Sequence, residues 1–205
     1  MRNRANACSI NENLSNMFPG GSNILRNTNV SVELTSGTWA TGAWRNGGSG
    51  IGSRESIVVT DAPNPDIVQG WRILNTGENT HEVSVAQSSV PLIIGREYTV
   101  SCYVRAVSGT ISFKLQHGID GYYVSKAVVI TQTDWQKASF TFTAAASIGS
   151  FYFISRAVST GAVEICGMKL ESGNKATDWS LSPWDMVSRV DFNALADRVA
   201  ILESR

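Results

Sequence analysis

The chain has 205 residues, with 17 Lys plus Arg balancing 17 Asp plus Glu for a formal net charge of zero. Its cations are scattered singly, which excludes the clustered positive surface that nucleic-acid backbone binding requires. No apolar run approaches the ~20 residues of a membrane-spanning helix, and the length suits one sizeable domain with tails at either end.

Only 17% of the residues are charged and 18 are Gly. With many Ser, Thr and Val, this favours an all-β domain rich in turns. Residues 1–22 are polar and Asn-rich and end in Phe18, Pro19, Gly20 and Gly21. They read either as a leader without fixed structure or as an attachment arm with Leu14, Met17 and Phe18 as its apolar contacts. The arm has no apolar centre that would make it a secretory signal.

The main domain is expected over residues 23–184. Short strands are expected at Val30–Leu34 and Ser56–Thr60. Between them, Trp39, Trp44 and the glycines at 47–50 predict a long exposed loop. Pro63 and Pro65 forbid a regular ladder and make residues 61–66 a turn. Gly70–Leu74 and Glu82–Gln87 read as strands either side of a turn at 75–79. The clearest alternation follows, with Tyr98, Val100, Cys102 and Val104 on one face and Thr99, Ser101, Tyr103 and Arg105 on the other. Ile111, Phe113 and Leu115 then alternate with Ser112, Lys114 and Gln116. Trp135–Thr143, Phe151–Ser155 and Val163–Leu170 complete the set. Many strands without a helical insertion predict a two-sheet sandwich.

From Asp185 to Arg205 the period becomes helical. Phe192, Leu195, Val199 and Leu202 step by three, four and three residues, the seam of a coiled coil, with Asp191 as an N-cap or first-turn acid. A helix this short is marginal alone in water. Its seam must pack back on the domain or join copies of the chain.

No catalytic constellation is present: there is no nucleophile elbow, zinc helix, phosphate loop or CxxC pair. Two His, His81 and His117, stand outside any motif, and no enzymatic activity is expected. Cys8, Cys102 and Cys166 lack metal-ligand spacing. Cys102 and Cys166 are expected as buried thiols, with a disulfide between them as the alternative. Sugar-binding surfaces stack aromatic rings on pyranose faces and hold hydroxyls with amide and charged groups. The candidates are Trp39, Trp44, Trp71, Tyr122 and Tyr123, with Arg105 and Gln116 beside Tyr103 and Lys114 as a polar patch. Core packing or loop anchoring is the alternative for each ring.

Lys169, Leu170, Glu171, Gly173, Lys175, Ala176, Thr177, Asp178, Trp179, Ser180, Ser182, Pro183 and Asp185 form a closing stretch. It resembles the last strand of jelly-roll modules in bacteriophage fibre and tail proteins, relatives of carbohydrate-binding modules. Asn23–Asn27 is similar to the opening of such modules, and the Tyr98–Thr110 and Trp135–Thr143 strands resemble their middle. The position before Asp185 departs from the pattern: Trp184 stands where a polar residue is usual.

The resemblance implies a jelly-roll β-sandwich with a polar N-terminal arm (1–22) and a C-terminal oligomerisation helix (185–205). It implies a virion structural protein of a fibre, tail or head decoration, made in the host cytoplasm and homo-oligomeric, with three copies favoured. The arm would dock on other virion proteins. No cofactor is implied beyond a structural Ca²⁺ near the chain ends, for which Asp178 alone supplies too few of the six to eight oxygens needed. The alternative is a receptor-recognition module binding a host-surface glycan. A fragment of a polysaccharide-degrading enzyme would need two facing carboxylates. Neither nucleic acid nor membrane insertion is expected.

Overall fold

The computed structural model describes residues 21–29, 44–48, 51–76, 82–119, 122–157 and 160–185. Ten strands form: β1 (Trp44–Gly47), β2 (Gly52–Val58), β3 (Gln69–Asn75), β4 (Val83–Pro91), β5 (Glu97–Ser108), β6 (Ile111–Ile119), β7 (Tyr122–Ile130), β8 (Gln136–Thr143), β9 (Ile148–Ala157) and β10 (Gly161–Ser172). They build two five-stranded sheets, β1-β4-β9-β6-β7 (sheet A) and β2-β3-β10-β5-β8 (sheet B). Every pairing is antiparallel. The architecture is the all-β jelly-roll sandwich expected from the pattern of strands. Helix among the described residues is confined to 183–185.

The core lies between the sheets and follows from strand alternation. Tyr98, Val100, Cys102 and Val104 of β5 turn inward to meet Phe113 and Leu115 of β6 and Phe151 and Phe153 of β9, all buried. Cys102 and Cys166 are both free thiols. They lie on opposite faces of sheet B, Cys102 in the main core and Cys166 in an outer cluster. Burial raises both thiols, Cys166 to about 12, so neither is a ready nucleophile.

Two strands depart from the expected pattern. Trp44 is not in an exposed loop: it opens β1, pairs with Gln87 of β4, and is 1% exposed. The Gly- and Ser-rich surroundings hid a strand whose first residue is, among the described residues, one of two buried tryptophans in the main core. Strand β7 was missed because it is an edge strand. Its inward positions are Val124, Lys126, Val128 and Ile130, and the lysine opposite Leu115 breaks the apolar alternation. The expected strand Val30–Leu34, Trp39, the arm contacts Leu14, Met17 and Phe18, and the seam Phe192, Leu195, Val199 and Leu202 lie outside the described residues.

The two ends of the domain are bound to each other. Asn23 Nδ2 donates to the Met168 carbonyl, and Ile24 N donates to the Leu170 carbonyl. The Asp185 carboxylate accepts Asn27 N at 2.9 and 3.0 Å. Asn27 itself adopts a positive φ of 52°. Trp184, the residue out of pattern, packs on the core under the Arg26 guanidinium, 3.8 Å from its ring centre.

The closing stretch seals the outer face of sheet B. Lys169 and Glu171 point outward from β10, yet both side chains are 1% exposed. Lys169 Nζ donates to Thr177 Oγ1 (2.7 Å) and the Asp178 carbonyl (2.6 Å) and lies 3.4 Å from Glu171 Oε2. Glu171 in turn accepts Thr177 N and Oγ1 at 2.9 and 2.6 Å. Trp179 then packs with Val59, Ile67 and Cys166 as a second cluster on that face. The residue pattern behind the resemblance is thus a buried polar clasp that folds the chain back over its last strand.

Candidate functional site

Strand register places three rows of outward side chains across sheet A. One row runs Gly47, Ser84, Ile154, Lys114 and Ala127; the next runs Arg45, Ala86, Tyr152, Gln116 and Ser125. In the third, Ser150, Gly118 and Tyr123 stand side by side. Small residues at Gly47, Ser84, Ala86 and Gly118 lie among the larger Arg45, Ile154, Tyr152, Gln116 and Tyr123. Gly48, Glu82, Ser84, Gln116, Tyr123, Tyr152 and Ile154 line a cleft of 370 Å³.

Two glycines have a steric reason to be there. A Cβ at Gly48, whose φ is +83°, would collide with the Glu82 carbonyl; only glycine brings the end of β1 so close. A Cβ at Gly118 would strike the Tyr123 ring, its cross-strand neighbour, and come within 3.3 Å of Tyr152. The missing side chain lets the Tyr123 ring lie down on the sheet. Its ring meets Tyr152 edge-on, 6.5 Å between centres at 64°. Tyr123 is 56% exposed, so an aromatic surface remains for a ligand.

The polar groups are held in place. Arg45 reaches over Ala86 and donates to Tyr152 Oη and to Ser88 Oγ, both at 2.8 Å. Lys114 reaches diagonally over β9 to Glu82 Oε1 at 2.6 Å, and Arg156 Nε approaches the same oxygen at 4.0 Å. Beneath the floor, Arg54 crosses from sheet B and donates to the carbonyls of Ser84 (2.9 Å) and Gly47 (2.5 Å). Burial lowers its pKa. Ser84 Oγ is buried and has no hydrogen-bond partner among the described residues. A buried hydroxyl with unused donor and acceptor capacity on a cleft wall suits a hydroxylated ligand.

The residues singled out from sequence separate cleanly. Tyr123 and Gln116 line the cleft. Trp44 and Trp71 do not: they face each other in the core, 6.4 Å between ring centres, and are 1% and 3% exposed. The Trp44 indole donates inward to the Arg26 and Asn27 carbonyls. Neither ring has a face for a ligand. Arg105 lies on the opposite sheet, where its guanidinium binds Glu164 and Asp61 and stacks on Trp135. Tyr122 lies on β7 next to Tyr123, and Trp39 lies outside the described residues. His117 faces the core between Phe142 and Phe151. Tyr152, Glu82 and Ser84 were missed. Tyr152 was legible, because it sits between the inward Phe151 and Phe153 and must point out. Glu82 reads from the sequence only as the first residue of a strand, and nothing local sets it beside Lys114 and Arg156. Among the described residues, no group of three or more His, Cys, Asp or Glu could hold a metal ion. Asp178 is 96% exposed and only approaches Lys137, at 3.9 Å.

The sequence profile of a carbohydrate binding domain matches residues 22–160. No curated protein matches the chain in sequence. Among solved structures, the putative sugar binding protein from Bacteroides thetaiotaomicron superposes with a TM-score of 0.55 at 14% identity, covering 74% of this chain and 100% of that one. The CBM22-1 xylan-binding domain of Paenibacillus barcinonensis Xyn10C gives 0.53 at 14% identity, covering 77% and 98%. Tailspike protein 4 of bacteriophage CBA120 gives 0.52 at 12% identity over 72% of this chain. This chain spans only 23% of the length of that tailspike structure. At such identities the likeness is one of fold.

Proposed function

The chain belongs to the carbohydrate binding domain family, and on that premise we propose that it binds a glycan in the cleft on the outer face of sheet A. One juxtaposition carries this reading. The exposed Tyr123 ring lines the same cleft as Gln116, Glu82 and an unpartnered Ser84 hydroxyl. A ring supplies the flat apolar surface for a pyranose face, and the fixed polar groups supply orientation. The reading is one of binding without catalysis. Glu82 is the sole carboxylate lining the cleft among the described residues, where a glycosidase needs a facing pair. The test is glycan-array binding by the full chain, repeated with Tyr123→Ala and Gln116→Ala. Loss of about tenfold or more in affinity is expected from Tyr123→Ala. Full retention of binding by both variants would move the site elsewhere.

The wider role is that of a virion structural component (fibre, tail or head decoration) that displays this domain to a host-surface glycan. The closing-stretch resemblance supports it, and a tailspike shares the fold. The arm would attach to another virion protein, and the seam Phe192, Leu195, Val199 and Leu202 would join three copies. Light scattering should then give three times the 22.1 kDa chain mass. Leu195→Asp with Leu202→Asp should yield monomers whose β domain stays folded, and a fully assembled variant would remove the seam from this role. Deleting residues 1–20 should leave stability unchanged and abolish incorporation into virions.

A further inference from the structure

The strands of sheet A carry charges of one sign only among the described residues. Its five strands carry Arg45, Lys114, Lys126 and Arg156 and not one carboxylate among the described residues. The strands of sheet B, by contrast, include Glu55, Glu97, Glu164 and Glu171. On the cleft side, Glu82 is the lone acid among the described residues, and it stands on the wall itself. Lys114 and Arg156 converge on one of its oxygens, Oε1, and no described residue hydrogen-bonds Oε2. Arg54 sits under the same floor, bonded to carbonyls and to no carboxylate.

This arrangement gives one residue two opposing effects. A carboxylate on the wall accepts hydrogen bonds from sugar hydroxyls, and such charge-assisted bonds are the stronger kind. It also repels a carboxylate, sulfate or phosphate on the ligand at close range. With the acid removed, Lys114 and Arg156 lose their shared partner, and Arg54 reinforces them from below. The same cleft would then attract an anion.

Resting on the cleft reading above, we propose that Glu82 sets the charge selectivity of the site. It admits uncharged sugar units and excludes acidic ones, and its neutralisation reverses that preference. The Lys114 and Arg156 contacts are positioning interactions that fix the Glu82 carboxylate against the wall.

The experiment uses the full chain and hexamers of galacturonate, glucuronate and mannuronate, each paired with its carboxyl-reduced counterpart. Affinities are measured by calorimetry for the natural chain, Glu82→Gln and, as a second variant, Lys114→Met. The natural chain is expected to prefer a neutral hexamer over its acidic partner by about tenfold or more. Glu82→Gln should weaken neutral binding and narrow or invert that ratio, with affinity for the acidic hexamer falling as salt is raised. Lys114→Met frees the carboxylate from its main anchor, so it should weaken neutral binding and keep acidic hexamers excluded. Thermal unfolding of each variant identifies any that misfolds. If Glu82→Gln does, Lys114→Met decides the matter: a gain in acidic binding overturns the proposal. Tighter binding of an acidic hexamer by the natural chain, or an unchanged ratio in folded Glu82→Gln, overturns it while leaving the glycan-binding reading in place. Binding of no hexamer removes that reading, and this inference with it.

Discussion

Both sheets contribute to one core, yet their outer faces are finished in different ways. Over sheet B the chain returns twice. The loop after β2 brings Val59 and Ile67 down, and the stretch after β10 lays Trp179 against Cys166. Asn64 Nδ2 donates to the Trp179 carbonyl, joining the two returning segments. That face spends charged residues on structure, with Lys169 and Glu171 buried in the clasp and Glu164 held by both Arg72 and Arg105. Over sheet A the outward positions mix glycine, serine and alanine with tyrosine, isoleucine, glutamine, lysine and arginine, and no segment among the described residues is packed over them as over sheet B. The lesson is that a jelly roll closed by its own C-terminal segment on one face leaves the other available for ligands. Substitutions on the two faces should therefore separate stability from binding.

The largest expected effect breaks the sealed face. Glu171→Ala leaves the Lys169 ammonium buried without its counter-charge, which costs about 3–5 kcal/mol. Urea unfolding measures it. Replacing both partners, Lys169→Met with Glu171→Leu, is expected to cost less than the single change, because no unpaired charge remains. A single variant as stable as the parent would mean the clasp is solvated and the comparison fails. Next comes Thr177→Val, which removes the hydroxyl between Lys169 and Glu171 at similar volume. It should lower stability by roughly 1–3 kcal/mol and leave glycan affinity unchanged.

The open face should respond the other way. Tyr123→Ala is expected to weaken binding about tenfold, which is ~1.4 kcal/mol. Unfolding should shift by under about 1 kcal/mol, the scale of one cross-strand pair. A large loss of stability here would show that Tyr123 is a structural cover for Gly118 and not a ligand platform.

How much of this was legible in the residues follows the same division. Strands β3, β5, β6, β8, β9 and β10 could be read because each alternates apolar and polar residues over one core. The closing stretch could be recognised as a pattern, but its purpose could not be seen. No local pattern shows Lys169 and Glu171 to be buried; that depends on Thr177 folding back to bond both. The site was half visible. Gln116 stands on a strand with a readable outward face and Tyr123 stands out only as an aromatic beside a turn, while Trp44 and Trp71 were misassigned because aromatic identity says nothing about which face a ring takes. Ser84 became a site residue only through the register between β4 and β9, and Glu82 through its ion pairs with Lys114 and Arg156, long-range contacts that no local pattern encodes.

The smallest expected effect sharpens the contrast within a single strand. Gln116 and Gly118 of β6 point to the cleft, and His117 between them points into the core, its ring 4.3 Å from Phe142 and 5.0 Å from Phe151. Burial holds its pKa below the ordinary imidazole value, outweighing a backbone hydrogen bond that would raise it. The neutral ring is therefore the native form, and the unfolded chain takes up a proton first as the pH falls. Stability should be full above about pH 6.5 and decline as the pH drops toward the folded pKa, by about 1.4 kcal/mol for each unit separating the two values. Below the folded value both states are protonated and this contribution levels off. Denaturant unfolding between about pH 7 and 5.5 measures the slope, and His117→Leu should remove it whatever its effect on overall stability. Over the same range the affinity of folded protein for its glycan should hold steady, because the titrating ring and the cleft lie on opposite faces of β6. A binding curve that falls with the same midpoint as the stability curve would mean the inner and outer faces of sheet A are coupled through this strand.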